Sequence, residues 1–190
     1  HKLGYPMMVG GDKEIYLKMR HLKIVALFFV VIFTAKVSVA QETNYRFHKV
    51  FFYSFTKYIE WPEEKKKGDF IIAVVGDSDI IPLLEEMAEI KKVGDRAIKV
   101  IKVDKITKGD FYHILFVPTD KSRQFNGFKN ALNNQACLVV TEAAGLAKNG
   151  AMINFKDVDG KLRFEVNTAT LEKAGLKMSQ ELSRFGEIVN

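Results

Sequence analysis

Three uninterrupted apolar segments place the strongest constraint on the fold of this chain. They are FIIAVV at residues 70–75, HILFVP at 113–118 and CLVV at 137–140. Strands in which apolar residues follow one another without polar alternation are typical of a sheet covered on both faces. Helix-forming stretches separate the three segments, so strands and helices alternate along the chain. The pattern predicts an α/β domain with a mostly parallel sheet and helices on both faces.

The strands nearer the edges of this sheet have a different character. AIKVIKV at residues 97–103 carries lysines, which indicates a wetter and more peripheral position. AMINF at 151–155 and KLRFEVN at 161–167 flank DVDG, which is a tight-turn signal, so the two should form an antiparallel hairpin. The sheet is therefore expected to be mixed, with an antiparallel C-terminal hairpin.

The sequence after the hairpin predicts a helical region. It should run from about Thr168 to Val189 and bend near Gly175. Leu182, Phe185 and Val189 recur at a spacing that would place them on its inner side.

An aromatic helix precedes the first apolar strand. On a helical wheel, the apolar residues between 47 and 61 cover more than half of the circumference, whereas a surface helix usually shows an apolar stripe of about 100°. Pro62 disfavours helical geometry at Trp61 and should end the helix there. One interpretation is a core helix; the other is a helix that also contacts a partner or a second copy in a homodimer. The residues predicted for that contact are Phe47, Phe51, Phe52, Phe55, Tyr58, Trp61 and Pro62.

The N-terminal region is typical of an exported protein. Residues 1–18 precede a plausible initiator, Met19, and are interpreted as an upstream, non-native leader. Residues 19–40 combine basic residues, an apolar run and the small residues Ser38 and Ala40, which predicts a cleavable signal peptide and a periplasmic product. Residues 41–190 should then form a single domain.

The basic charge of the chain belongs mainly to this leader. The net charge is +6 for the whole sequence, and residues 41–190 hold 23 basic and 21 acidic residues, which leaves +2. With so little excess charge in the domain, nucleic-acid binding loses its main support. No nucleic-acid partner is expected.

The sequence offers few residues for catalysis or metal binding. Cys137 is the only cysteine, so no internal disulfide forms, and it lies in a buried strand. His48 and His113 are interpreted as structural histidines rather than ligands or bases. No zinc, calcium, phosphate-loop or nucleophile-elbow motif is present. We therefore expect neither a metal nor a cofactor, and no enzymatic activity.

One polar patch remains as a candidate site. In LRFEVN, the residues Leu162 and Phe164 face one way, while Arg163, Glu165 and Asn167 face the other. The patch is either the wet face of an antiparallel strand, with Asn167 available to cap the next helix, or a surface that meets a ligand or partner.

The ordered set of motifs resembles the YfiR-like family of periplasmic proteins. The segments that carry the resemblance are FTKYIEWP, VVGDSD, HILFVP, GLAKNGAMINF, LRFEVN and AGLKMSQEL. The likeness extends from about Phe47 to Val189, and it rests on the order and spacing of the segments rather than on any one of them.

The resemblance implies a regulatory α/β domain. Its function would be to bind and inhibit a membrane-bound signalling protein, a diguanylate cyclase, through that protein's periplasmic domain, and so to limit cyclic-di-GMP signalling and biofilm formation. It also implies self-association. Several relatives carry cysteine pairs, and Cys137 alone cannot form one. An alternative function is a periplasmic small-molecule binding module with Arg163 and Glu165 in its pocket.

Overall fold

The buried strands predicted from the sequence lie side by side in the middle of one sheet. The computed structural model describes residues 44–189, so the leader and the signal peptide lie outside the described residues. The strands are β1 (Ile59–Glu60), β2 (Phe70–Val75), β3 (Lys92–Val93), β4 (Arg96–Val103), β5 (Ile114–Val117), β6 (Leu138–Thr141), β7 (Ile153–Val158), β8 (Lys161–Asn167), β9 (Lys177–Met178) and β10 (Gly186–Val189). The α-helices are α1 (Arg46–Tyr58), α2 (Ile80–Ile90), α3 (Phe125–Leu132), α4 (Thr168–Lys173) and α5 (Gln180–Ser183), and two 3₁₀ turns span Glu63–Lys65 and Thr119–Gln124.

The main sheet is mixed but mostly parallel. Its order within the described residues is β10-β8-β7-β6-β5-β2-β4-β3. Strands β4, β2, β5, β6 and β7 run in one direction, and β8 and β10 run in the other. The chain passes from β2 through α2 to β4 and then crosses to β5, so the strand order reverses between β2 and β5, as in doubly wound folds. The predicted fold class is confirmed.

Helices cover both faces of this sheet. Along β2, Ile72 and Val74 enter a larger core with α1 and α2, whereas Ala73 and Val75 enter a smaller core with α3. Because successive side chains of a strand point to opposite faces, each buried strand serves both cores. Full burial of each large apolar side chain contributes about 1.5–3 kcal/mol.

The predicted C-terminal hairpin is present. Strands β7 and β8 pair antiparallel, with Phe155 opposite Phe164. The two turn residues, Asp159 and Gly160, have φ angles of 54° and 72°, as tight two-residue hairpin turns require. The Asp157 carboxylate accepts a hydrogen bond of 2.8 Å from the Gly160 amide and reinforces the turn.

Helix α1 ends at Tyr58, three residues before the predicted end at Trp61. Ile59 is already extended, with φ −104° and ψ 134°. Strand β1 then pairs antiparallel with β9, with Ile59 opposite Met178. The helix therefore stops because its next residues are used in a strand pair formed with a distant part of the chain, before Pro62 can act.

The prediction of a helical region from Thr168 to Val189 is wrong in its second half. Helix α4 ends before Gly175, whose φ of 77° belongs to the left-handed region. The chain then forms β9, the single-turn helix α5 and the strand β10, which pairs parallel with β8. Leu182 is buried as predicted, but Phe185 is 54 % exposed, so the expected inner stripe does not form.

Candidate partner-binding surface

The inward face of α1 holds the helix on the sheet. It carries His48, Phe52, Phe55 and Thr56, all of which are buried. The ring centroids of Phe52 and Phe55 lie 6.0 and 5.9 Å from that of Phe155 on β7. Aromatic pairs at this separation contribute about 0.5–1.5 kcal/mol beyond their buried area. No helix in the described part of the chain, α1 included, is both long enough and apolar enough to cross a membrane.

The outward face of α1, which we call the outer stripe, comprises Phe47, Val50, Phe51, Ser54 and Tyr58. Phe47 is 66 % exposed and Val50 is 60 % exposed, while the other three are partly buried. These positions recur every three or four residues and therefore lie along one side of the helix. Two large apolar side chains next to each other in solvent are typical of a surface that binds another molecule.

The structure divides the seven residues predicted for this contact. Phe47 is exposed, Phe51, Tyr58 and Pro62 are half-buried, and Phe52, Phe55 and Trp61 are buried. A partner can therefore reach only the first four of these residues. One part of the wide apolar arc packs on the sheet and the other part faces outward.

Trp61 belongs to the core of the described chain. Only 5 % of it is exposed, and its indole nitrogen donates a hydrogen bond of 3.2 Å to the carbonyl of His113. Its ring also meets that of Phe70 edge to face, with 5.0 Å between the centroids. Trp61 is therefore not part of the surface that a partner can reach.

A buried polar cluster fixes the start of α1 to the sheet. The Tyr45 hydroxyl donates a hydrogen bond of 2.8 Å to Oε1 of Glu142, and the Thr119 amide donates one of 3.0 Å to the same oxygen. Nε2 of His48 lies 3.8 Å from Oε2 of Glu142. Burial lowers the pKa of His48 to about 4 and raises the pKa of Glu142. We did not single out Glu142 from the sequence, where it is only the polar residue after a buried strand.

A second polar cluster surrounds His113, at the end of the sheet where the central parallel strands begin. Nδ1 of His113 accepts a hydrogen bond of 3.0 Å from the Ile71 amide, and Nε2 lies 2.8 Å from the Lys65 carbonyl oxygen. The Arg96 guanidinium donates to the carbonyl of Gly68 at 2.7 Å and holds the 65–69 loop in place. These contacts confirm the interpretation of His113 as a structural histidine.

The predicted polar patch on β8 separates into three different environments. Asn167 is buried, and it caps α4 by accepting a hydrogen bond of 2.9 Å from the Thr170 amide. Glu165 accepts a hydrogen bond of 3.1 Å from the Asn154 side chain. Arg163 is exposed. Two cavities of about 630 and 490 Å³ lie elsewhere in the described residues, and Arg163, Glu165 and Asn167 line neither.

Taken with the fold, these features define a class of protein: an α/β domain whose sheet carries an aromatic helix with one apolar face turned outward. The YfiR/HmsC-like family, DUF4154, matches residues 45–187, and the chain belongs to this family. The match includes all of α1 and the first two residues of β10, so the element with the outer stripe is part of the family domain. The family is periplasmic and regulatory rather than catalytic. Comparison with curated proteins gives no match.

Proposed function

We propose that this protein acts in the periplasm as an inhibitor of a membrane-bound signalling protein, and that this target is a diguanylate cyclase. The protein would bind the periplasmic domain of the cyclase through the outer stripe and so limit cyclic-di-GMP synthesis and biofilm formation. Membership of the YfiR/HmsC-like family supports the regulatory role. The outer stripe supports binding to another protein.

The observation that carries the proposal is the exposure of Phe47 and Val50. Both lie on a helix whose opposite side is fixed in the core, so the helix can present them without moving. Burial of each side chain in a partner's groove would contribute about 1.5–3 kcal/mol. A groove that takes an apolar helix face is a common mode of recognition between proteins.

Inhibition requires more than binding. A ligand shifts an equilibrium between two conformations only by the difference in its affinity for them. The protein must therefore bind the inactive arrangement of the cyclase more tightly than the active one. A rigid surface on a well-packed helix favours such discrimination, because only one arrangement of the partner can match it.

The test uses the double variant Phe47→Ser/Val50→Ser. In cells that express a membrane-bound diguanylate cyclase together with this chain, wild-type protein should lower the amount of cyclic di-GMP. The double variant should leave it high, and it should bind the purified periplasmic domain of that cyclase at least tenfold more weakly, as loss of central apolar contacts does. Its urea midpoint should be unchanged, because both side chains are exposed.

The control is Ile101→Ser, which removes another exposed apolar side chain, on β4. It should lower cyclic di-GMP as the wild type does. If Phe47→Ser/Val50→Ser inhibits the cyclase as fully as Ile101→Ser, the outer stripe is not the inhibitory surface.

The alternative function, a small-molecule binding module at Arg163, Glu165 and Asn167, gains no support from the geometry. Asn167 is occupied as a helix cap, and neither of the two cavities involves these residues.

A further inference from the structure

A cavity of about 630 Å³ opens at the end of the sheet where strands β2 and β4 begin. It lies between the C-terminal end of α1, the β1–β9 pair and the first residues of β2 and β4. Its volume is within the range of about 300–1,000 Å³ that is usual for small-molecule sites. The cavity is separate from the outer stripe except at Tyr58, which contributes to both.

The lining of this cavity is largely apolar. The buried apolar side chains in the lining are Ile59, Trp61 and Phe70. The half-buried ones are Tyr58, Val93 and Met178. Such a lining stabilises the apolar part of a ligand through removal of its surface from water.

Two of the lining rings are already engaged with other groups. Phe70 stacks on the imidazole of His113, with 4.4 Å between centroids and 22° between planes, and Trp61 meets Phe70 edge to face. Both rings are thereby held in fixed contacts within the protein. Met178 is flexible and adapts to an irregular apolar partner. The lining therefore suits a flexible alkyl chain better than a flat ring.

The charged groups around the cavity are mostly positive. Four basic side chains and one carboxylate line it: Lys57, Lys66, Arg96, Lys177 and Glu60. Lys66 is paired with Glu60 at 3.6 Å, and Arg96 is bonded to backbone carbonyls of the 65–69 loop. These two cations are already used within the protein.

Lys57 and Lys177 are not used in this way. Neither forms an ion pair with any residue in 44–189, and both are exposed. The Nζ atom of Lys57 lies over the Tyr53 ring, 4.5 Å from its centroid. Lys57 and Lys177 both line the cavity without a carboxylate partner in the described part of the chain. Basic side chains around an apolar cavity match a ligand with an anionic head and an apolar body.

We propose that this cavity binds an amphipathic acyl anion, whose alkyl chain enters among Tyr58, Val93 and Met178 and whose head group meets Lys57 and Lys177. A carboxylate or a phosphate head would serve equally, so the ligand is either a free fatty acid or an anionic membrane lipid. This inference does not depend on the proposed inhibition of a cyclase.

The test exploits Trp61, the single tryptophan of the chain, whose fluorescence reports the cavity floor. Titration of the purified protein with hexanoate, octanoate and decanoate, each below its micelle concentration, should give saturable changes in fluorescence. Affinity should rise roughly fourfold for each added methylene until the chain fills the cavity. Decyltrimethylammonium should bind at least tenfold more weakly than decanoate, because its head group has the opposite charge. Circular dichroism at the end of each titration checks that the fold is intact.

The decisive variant is Lys57→Gln/Lys177→Gln. It should weaken decanoate binding about tenfold or more, and leave the binding of a neutral decyl maltoside unchanged. Lys161→Gln, on an exposed lysine of the β7–β8 hairpin, is the matched control and should bind decanoate as the wild type does.

Co-sedimentation with phosphatidylglycerol vesicles shows whether the ligand is a free fatty acid or an anionic membrane lipid. Decanoate binding without co-sedimentation identifies a free acid, whereas co-sedimentation that the double lysine variant abolishes identifies a membrane lipid. The proposal is overturned by an absence of saturable decanoate binding, by equal affinity for the cationic probe, or by tighter binding of 2-naphthoate than of decanoate.

Discussion

Asn167 joins the end of β8 to two other parts of the chain. Its side-chain oxygen accepts from the Thr170 amide, and its side-chain nitrogen donates to the Ala147 carbonyl, both at 2.9 Å. Asn167→Ala would leave both backbone groups without these partners in a buried position, so we predict a loss of about 1–3 kcal/mol in the free energy of unfolding. Urea denaturation measures it. Arg163→Ala, at an exposed position on the same strand, should change stability by less than about 0.5 kcal/mol. Equal losses in the two variants would contradict the capping role.

His113 should make the fold sensitive to acid. Burial lowers its pKa to about 4, and the charges of Arg96 and Lys65 act in the same direction. In the unfolded chain a histidine binds its proton near pH 6.5. Between these two values the unfolded state holds more protons than the folded state, so stability is present above pH 6.5 and is lost as the pH falls toward 4. His48, whose pKa is also about 4, adds to this loss, while the raised pKa of Glu142 opposes it.

The measurement is the unfolding free energy of wild type and His113→Asn at several pH values between 7 and 4.5. The variant retains a hydrogen-bond acceptor near the Ile71 amide but no longer titrates. It should be less stable at pH 7, because it loses the stacking on Phe70, and it should lose less stability as the pH falls. A pH dependence identical to that of the wild type would show that His113 is not responsible.

Strand β10 depends on a close approach between its first residue and the core. A Cβ added to Gly186 would lie 2.4 Å from the ring of Phe164, and the φ of Gly186 is not in the left-handed region. Gly186→Ala should therefore act by steric overlap alone and destabilise the protein by about 1–3 kcal/mol. The matched control is Gly127→Ala in α3, where an added Cβ meets no atom within 4 Å. That variant should be neutral or stabilising by up to about 1 kcal/mol, since alanine is the better helix former. Thermal unfolding of both variants compares the two sites.

Elements whose pattern is local could be predicted from the sequence, and elements that depend on distant pairing could not. Strands β2, β5 and β6 are buried on both faces, and their continuous apolar residues predict this directly. In contrast, β1 pairs with β9, more than a hundred residues away, and no local signal marks either two-residue strand. In the same region, Leu182, Phe185 and Val189 imitate a helical period, but β10 gains more by pairing with β8 than by helix formation.

The candidate sites, too, could be predicted from the sequence only in part. The wide apolar arc of α1 predicts that the helix serves two surfaces, and Phe47 lies on the outward one. The position of the sheet decides which aromatic residues face inward. The burial of Phe52 and Trp61 could therefore not be predicted from the sequence alone. The 630 Å³ cavity combines side chains from α1, the β3–β4 turn and β9, which adjoin only in the folded chain. No sequence pattern predicts it.

The two edges of the main sheet differ in how they meet solvent. At one edge, the short strand β3 pairs only with Arg96 and Ala97 of β4. The rest of β4 has no neighbouring strand on that side, and it carries Lys99 and Lys102, which form ion pairs with aspartates. Lysines on an edge strand oppose pairing with another chain. The other edge, β10, pairs on one side with β8, and its Ile188 is 52 % exposed. A second copy could therefore meet this molecule at the β10 edge or at the outer stripe, but not readily at β4.

We predict that the protein forms a closed dimer through the outer stripe, because isologous contacts predominate among homo-oligomers and Phe47 and Val50 are exposed apolar side chains on one side of α1. Light scattering at micromolar concentration should give about twice the mass that mass spectrometry finds for the chain. Phe47→Ser/Val50→Ser should be monomeric, and Ile188→Ser should remain a dimer. The reverse result would assign the contact to the β10 edge. One stripe cannot contact two chains at once. If the proposed function is correct, addition of the periplasmic domain of the proposed cyclase target to the wild-type dimer should therefore replace it with a mixed complex. Self-association would then compete with inhibition, and the amount of free inhibitor would depend on its own concentration.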